Sequence, residues 1–196
     1  MRRLFIIRHG NTFASSAEAR RVGARTDIPL VESGRMQAEQ LGQWFAREKL
    51  AVRRILSSPL QRARQTAELI AAAVGVECAG SCDWLGEIDH GPDEDQPEAA
   101  VLARIGADAL ARWDEQAIPP DGWIVDAEAR VQAWRAFCAE GGEGVDLLVT
   151  SNGAARFALV ASGLSRGALK LRTGAFGELA VDDDGRVSLI RWDVRP

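Results

Sequence analysis

The sequence is poor in the residues that build metal centres and disulfide frameworks. Its 196 residues include no tyrosine, two histidines and three cysteines, which are Cys78, Cys82 and Cys138. No two cysteines form a Cys-x-x-Cys pair, and two histidines are too few for the usual zinc patterns. An odd number of cysteines is typical of free thiols in a reducing compartment. We therefore expect no metal centre, and we expect a cytoplasmic location.

Long apolar runs and an excess of basic charge are also missing. No stretch approaches the roughly 20 apolar residues that a membrane-spanning helix needs. The apolar run near the N-terminus ends at Arg8 after only four residues, which is too short for a secretory signal. The formal net charge of −4 argues against a broad surface for nucleic acid or anionic membranes. We expect neither as a partner, although a local basic pocket is compatible with this charge.

What the sequence does contain is typical of a globular α/β protein. Hydrophobic residues make up 46% of the chain and charged residues 27%, and this length suffices to bury a core. Short apolar runs predict buried strands over 3–9, 52–58 and 145–151. Helical spacing predicts helices over 32–50, 59–75, 97–116, 126–140 and 154–163, and an Asp-Gly turn predicts a hairpin over 177–194.

Strands that alternate with helices predict a mainly parallel central sheet with helices on both faces, a three-layer α/β/α sandwich. We expect one domain over 1–196, with a helical and loop insertion at about 85–143, where the pattern is least regular. Ser58 is expected to cap the helix after the second strand, with Pro59 in its first turn.

Polar residues follow the predicted strands where they end. They are Arg8 and His9, Ser57 and Ser58, and Ser151 and Asn152. Parallel sheets place their sites beyond the carboxyl ends of the strands. We therefore expect these residues to converge on one site.

Several of these residues suit an anion pocket. Arg8 and His9 before a glycine fit a close approach to phosphate, and Arg62 near a helix N-terminus deepens such a pocket. Glu87, flanked by Leu85 and Ile88, fits a general acid whose pKa is raised by apolar surroundings. Each has a simpler alternative when taken alone: local hydrogen bonding for His9, and solvent exposure for Arg62 and Glu87.

Taken together, the motifs are far more specific. The segments "RHGNT" (8–12), "DIPLVESGRMQAEQLG" (27–42), "SSPLQRARQTA" (57–67) and "LGEIDHG" (85–91) occur in this order. Their sequence and order resemble those of the histidine phosphatase superfamily, also called phosphoglycerate mutase-like. The resemblance covers most of the chain and is weakest over about 92–144.

The resemblance implies a phosphoryl-transfer site for a small phosphorylated substrate or phosphate, without metal or cofactor. It makes His9 the nucleophile, Arg8 and Arg62 the groups that hold the phosphoryl oxygens, and Glu87 the proton donor. It also implies substrate contacts from Arg8, Ser15, Arg62, Asn152 and Gly153.

The sequence departs from the family pattern in three places. The last motif normally reads Ser-His-Gly, whereas here Asn152 stands in place of the histidine, and an amide cannot be protonated. Ser15 replaces an asparagine that contacts phosphate in many members. The segment "GPDEDQPE" (91–98) stands where members often have a Trp-Glu-Gly segment. Its acidic run 93–95 fits either a barrier to anionic substrates or a solvated loop, and the loop is the favoured interpretation.

His90 is the second histidine of the chain, in a position where relatives often have an aromatic residue. Turned inward, it would replace the missing donor, but a packing or surface role is the favoured interpretation. A further alternative is that Asn152 is a substitution introduced in the laboratory.

Our prediction is a metal-independent phosphomonoesterase that acts through a phosphohistidine at His9, with activity reduced by Asn152. A mutase is disfavoured, because long insertions are missing and "NTFAS" (11–15) does not continue the first motif as mutases do. The alternative is a catalytically impaired phosphate-binding or protein-interaction module. The oligomeric state and the substrate stay open.

Overall fold

The fold is known from a computed structural model that describes residues 1–164 and 167–196. Its strands are β1 (Arg2–Arg8), β2 (Val52–Ser57), β3 (Cys78–Ser81), β4 (Gly144–Thr150), β5 (Phe176–Val181) and β6 (Val187–Val194). Its α-helices are α1 (Glu32–Arg47), α2 (Gln61–Val74), α3 (Glu98–Ile105), α4 (Ala107–Gln116), α5 (Ala127–Ala139) and α6 (Asn152–Ala161). Short 3₁₀ turns lie at Asp83–Leu85 and Gly91–Asp93.

The six strands form one sheet in the order β3-β2-β4-β1-β5-β6. The first four of these strands are parallel, β5 is antiparallel to β1, and β6 is antiparallel to β5. The mainly parallel sheet and the C-terminal hairpin predicted from the sequence are thereby confirmed. In β1, Arg8 pairs with Thr150 of β4, so these two strands end side by side.

Alternate side chains of β1 pack into two separate hydrophobic clusters. Phe5 and Ile7 belong to one hydrophobic cluster with residues of α1 and α2, and Leu4 and Ile6 belong to another. The second cluster includes Trp134 of α5 and residues of α6. Successive residues of a strand point to opposite faces, so each face of the sheet is covered by helices. The predicted α/β/α layering is confirmed.

The helix boundaries differ from the predictions in instructive ways. The helix α2 begins at Gln61, later than expected, and Ser58 does not cap it. The N–H of Gln61 donates instead to Asp27 Oδ1 at 2.6 Å. The predicted helix over 97–116 is interrupted at Gly106, whose φ of +80° breaks the helical conformation between α3 and α4. In the described parts of the chain, no helix is long and apolar enough to cross a membrane.

An ion cluster lies near the starts of β1, β2 and β4, at the opposite end of the sheet from His9 and Asn152. The Asp146 carboxylate of β4 is fully buried and accepts hydrogen bonds from Arg2, Arg53 and Arg54. The Arg2 guanidinium is itself only 1% exposed, with its Nε 2.5 Å from Asp146. Removal of one partner from a buried ion pair leaves the other charge uncompensated in a region without water.

We expect Asp146→Ala to lower the free energy of unfolding by about 3–5 kcal/mol, because Arg2 then stays buried without its main counter-ion. Urea denaturation measures this change. The matched control is Asp183→Ala, which removes a carboxylate that is 94% exposed in its pair with the N-terminus. Equal unfolding midpoints for the two variants would contradict the expectation.

Candidate active site

A cavity of about 390 Å³ opens where β1 and β4 end. The residues predicted for the site that line it are Arg8, His9, Ser15, Glu87, Asn152 and Gly153. Arg62 lies against His9 and is fully buried. Residues that are up to 145 positions apart in the chain are therefore brought to one place, because the strands end at the same side of the sheet.

His9 is held in one protonation state by its surroundings. Its Nδ1 lies 2.7 Å from the carbonyl oxygen of Gly10, which can only accept a hydrogen bond, so Nδ1 carries the proton. Nε2 therefore carries the lone pair of the ring, which accepts a hydrogen bond from Arg62 Nε at 3.2 Å. Burial, followed by the charges of Arg62 and Arg8, lowers the pKa of His9 well below its ordinary value. The imidazole is consequently neutral at neutral pH.

The loop that presents His9 depends on a close approach of two backbones. A Cβ atom at Gly10 would lie 2.2 Å from the carbonyl oxygen of Gly34, at the start of α1. Only glycine fits such a distance. The N–H of Gly10 also donates to Thr66 Oγ1 of α2, at 3.2 Å. Both helices on this face of the sheet therefore fix the histidine loop.

Two arginines give the site its positive charge. Arg62 donates to the carbonyl oxygens of Thr26 and Gly23, at 2.7 and 3.1 Å, which orients its guanidinium toward His9. Arg8 donates from Nη1 to the carbonyl oxygen of Leu171, and its buried Nε lacks a hydrogen-bond partner among the described residues. Burial is the main reason that the pKa of Arg8 falls to about 10, so it remains charged at neutral pH.

Glu87 is buried and is held by backbone amides. Its Oε2 accepts from the N–H of Gly153 at 3.0 Å, and its Oε1 accepts from the N–H of Ile88 at 2.9 Å. Burial by itself raises the pKa of this carboxyl. His90, the two amides and Arg62 lower the pKa by more than burial raises it, so the net shift is downward. The raised pKa expected from the sequence is wrong for the free protein, because apolar neighbours in sequence are outweighed by donors that only the fold supplies.

The helix α6 begins at the site and supplies two of the predicted residues. Asn152 accepts a hydrogen bond on Oδ1 from the N–H of Leu171 at 2.9 Å, which leaves its Nδ2 as the group available to a ligand. Gly153 lines the cavity, but its N–H already serves Glu87, and a Cβ there would lie 2.3 Å from Glu87 Oε1. Gly153 therefore helps to position Glu87, and the substrate contact that the resemblance implies for it stays a prediction. Ser15 lies exposed on the rim.

The acidic run beside the site is not the solvated loop that the sequence suggested. Asp93 is 2% exposed, is paired with Arg104 and accepts from the indole N–H of Trp123 at 2.7 Å. The Glu94 side chain is 5% exposed. Only Asp95 is open to solvent, with its side chain 57% exposed. The interpretation failed for two of the three residues because their partners come from distant parts of the chain.

Other cavity residues carry no signal in the sequence. Arg21 lies on a loop before α1, is paired with Glu98, and has its guanidinium 5.3 Å from the ring centre of Trp123. Trp113 reaches the cavity from α4, within the region where the resemblance is weakest. Across residues 1–164 and 167–196, no three or more His, Cys, Asp or Glu side chains are grouped so as to hold a metal ion.

The buried, neutral His9 has a consequence for stability. In the unfolded chain this imidazole takes up a proton near its ordinary pKa of 6.5, whereas the folded protein does not. Stability is therefore lost as the pH falls below about 6.5. We expect the fall in unfolding free energy between pH 7.5 and 5.5 to be about 1 kcal/mol larger for the unmodified protein than for His9→Gln. Urea titrations at the two pH values measure it, and an equal fall in both proteins would show that His9 is protonated in the folded state.

Comparisons with known proteins identify the family. The family model of the histidine phosphatase superfamily (branch 1) matches residues 4–193. A probable phosphoglycerate mutase of Salmonella arizonae is 33% identical over 174 residues, covering 83% of this chain and 74% of the relative.

Solved structures show the same fold at lower identity. A mycobacterial glucosyl-3-phosphoglycerate phosphatase complexed with VO3 has a TM-score of 0.80 at 24% identity, covering 99% of this chain and 100% of the other. Phosphoserine phosphatase of Entamoeba histolytica in complex with 3-phosphoglyceric acid has a TM-score of 0.78 at 21% identity, covering 99% and 98%. By its motifs, its fold and its family match, the chain belongs to the histidine phosphatase superfamily, branch 1.

Proposed function

We propose that this protein is a phosphomonoesterase that works through a phosphohistidine at His9. The observation that supports this most strongly is the state of the His9 ring: neutral, with its proton fixed on Nδ1 and its lone pair on Nε2. A nucleophile needs that lone pair, and Arg8 and Arg62 supply positive charge where a phosphoryl group would be attacked.

The reaction follows in two displacements. His9 Nε2 attacks phosphorus, the bond to the ester oxygen breaks, and Glu87 gives its proton to the leaving oxygen. Water then attacks the phosphohistidine, Glu87 takes a proton from that water, and His9 is released neutral with inorganic phosphate. Arg8 and Arg62 hold the phosphoryl oxygens in both steps.

Glu87 must gain a proton before the first step, because its pKa is lowered in the free protein. A bound phosphate brings negative charge close to this carboxylate, and a like charge raises the pKa of a carboxyl group. Substrate binding is therefore the event that makes Glu87 a proton donor.

Asn152 limits the rate in this proposal. We place it where relatives carry the second catalytic histidine, so a neutral amide donates to the phosphoryl group in place of a charged imidazole. Loss of one preorganised donor commonly costs about 10²–10³ in turnover.

We favour hydrolysis over phosphoryl transfer between substrates, because the chain lacks the long insertions of mutases. The phosphatases among its structural neighbours accord with hydrolysis, whereas the curated relatives named probable phosphoglycerate mutases do not.

We expect His9→Ala to abolish both turnover and the acid-labile phosphoenzyme, since among the described cavity residues only His9 has its Nδ1 proton fixed by a carbonyl oxygen and its Nε2 beside Arg62. A panel of small phosphomonoesters and acid-quench trapping of phosphorylated protein test this. Cys78→Ser, at an exposed thiol on the edge strand β3, is the matched control and should leave both readouts unchanged. Hydrolysis that survives in His9→Ala would exclude the mechanism.

We expect Asn152→His to raise turnover by about 10²–10³, because it restores a donor that can carry charge. The matched variant Asn152→Ala, which removes the neutral amide, should fall below the unmodified protein. Steady-state rates on the best substrate of the panel give the comparison. If the histidine variant folds and gains nothing, Asn152 is not what limits the rate.

A second candidate is a phosphate-binding protein without turnover. The contact of Arg62 Nε with His9 Nε2 favours it, since this hydrogen bond occupies the attacking lone pair in the free protein. This candidate requires that the protein binds inorganic phosphate by calorimetry while hydrolysing no member of the panel, with or without the Asn152→His change.

A further inference from the structure

His90 is a buried imidazole in the wall of the cavity that the mechanism above does not use. It is 4% exposed and lines the same cavity as His9 and Asn152. Its ring packs edge-to-face against Trp123, with centroids 4.5 Å apart and planes at 84°. Packing of this kind holds the orientation of the ring. Of the packing and surface roles that the sequence left open, the ring has the packing one, and the same side chain also lines the cavity.

Glu94 gives this imidazole a fixed anionic neighbour. Its Oε2 lies 3.5 Å from His90 Nδ1 and accepts the N–H of His90 at 3.1 Å. Its Oε1 accepts from the N–H of Gly23 at 2.9 Å and from Thr26 Oγ1 at 2.8 Å. Burial raises the pKa of Glu94, but His90 and these donors lower it to about 2, so the carboxylate stays ionised.

The other charges around His90 are of both signs. Glu87 lies three residues earlier, and His90 is the largest of the influences that lower its pKa. The guanidinium of Arg21 and the carboxylate of Asp93 both contact the Trp123 ring on which His90 packs, and Asp93 is neutralised by Arg104. Asp89, one position before His90, is paired with Arg25. The unpaired acidic groups facing the imidazole are thus Glu94 and Glu87.

His90 Nδ1 lies 3.5 Å from Glu94 Oε2 and has no hydrogen-bond partner among the described residues, so Nε2 is the ring nitrogen left for a ligand in the cavity. A histidine changes its charge between about pH 5 and 8. When protonated, the ring carries a proton on each nitrogen, so the Nδ1 proton lies beside the Glu94 carboxylate and Nε2 can donate a hydrogen bond into the cavity.

We propose that His90, held by Glu94, is a further catalytic residue, which donates a charged hydrogen bond from Nε2 to an oxygen of the phosphoryl group bound at His9. It provides from another part of the chain the charge that the amide of Asn152 lacks. This inference depends on the proposed phosphate site, but not on turnover there.

Sulfate is the probe, because it is a dianion that does not titrate in this range. We expect its affinity for the unmodified protein to increase by about tenfold or more from pH 8 to pH 5, because the neutral ring keeps its proton on Nδ1 beside Glu94 and presents only a lone pair at Nε2, whereas the protonated ring donates a charged hydrogen bond from Nε2. His90→Phe keeps the aromatic packing, and His90→Gln keeps an N–H donor without charge. Because a bound anion also favours protonation of Glu87, the unmodified His90 and its two variants are compared in a Glu87→Gln background. There both variants should bind sulfate at pH 8 and show no such increase, whereas a purely structural role of His90 would leave the increase intact.

Nuclear magnetic resonance reports on the same group directly. The chain contains two histidines, so ¹⁵N imidazole spectra hold two sets of signals, which His9→Gln assigns. Sulfate should raise the pH at which the His90 ring gains its proton, because the coupling between sulfate binding and proton binding is reciprocal. The change in proton affinity should equal the change in sulfate affinity.

Sulfate binding whose pH dependence persists in both His90 variants, or that leaves the His90 titration unchanged, would overturn the role of His90 and leave the phosphate site standing. Failure of the unmodified protein to bind sulfate at any pH would remove the phosphate site, and the role of His90 with it.

Discussion

The hydrogen bond between the N–H of His9 and the carbonyl oxygen of Thr150, 3.0 Å long, is the contact on which the site depends. It extends the pairing of β1 and β4 by one residue beyond the end of β1. A similar bond joins the N–H of Ser58 to Val149 at 2.8 Å and ties β2 to the same strand. The backbone ladder therefore sets where the histidine loop, the start of α6 and the approach to α2 lie relative to one another.

Charge is the second constraint. Arg8, Arg62 and the nearby Arg21 concentrate positive charge around the cavity, and among the described residues Glu87 is the buried carboxylate that lines it. Removing arginines from water is costly unless carbonyl or carboxylate oxygens accept hydrogen bonds from their N–H groups. Thr26, Gly23 and Leu171 provide carbonyl oxygens, and the Arg8 Nε that has no such partner among the described residues is a donor suited to an anion. Burial, reinforced by the same positive charge, lowers the pKa of His9 and keeps its ring neutral.

The segment over 85–97 links Glu87 to the arginine that contacts His9. Glu87 lies near its start, His90 lies in its middle, and Glu94 accepts hydrogen bonds from the backbone N–H groups of Gly23 and Arg25. The carbonyl oxygen of Gly23 in turn holds Arg62. A Cβ atom at Gly23 would lie 2.3 Å from Glu94 Oε2 and 2.5 Å from His90 Nδ1, so this junction is closely packed. Orientation of the cationic and the acidic parts of the cavity is consequently coupled through Glu94.

The sequence by itself determined the layers and the place of the site, because both follow from local patterns: apolar runs that make strands, helical spacing between them, and polar residues where strands end. It also singled out Arg8, His9, Arg62 and Glu87, whose motifs are short and contiguous. Only the tertiary structure decided the protonation of His9, the lowered pKa of Glu87, the burial of Asp93 and Glu94, and the position of His90 beside Glu94. These properties arise from hydrogen bonds and charges between residues distant in the chain, and no local pattern encodes which of them will meet.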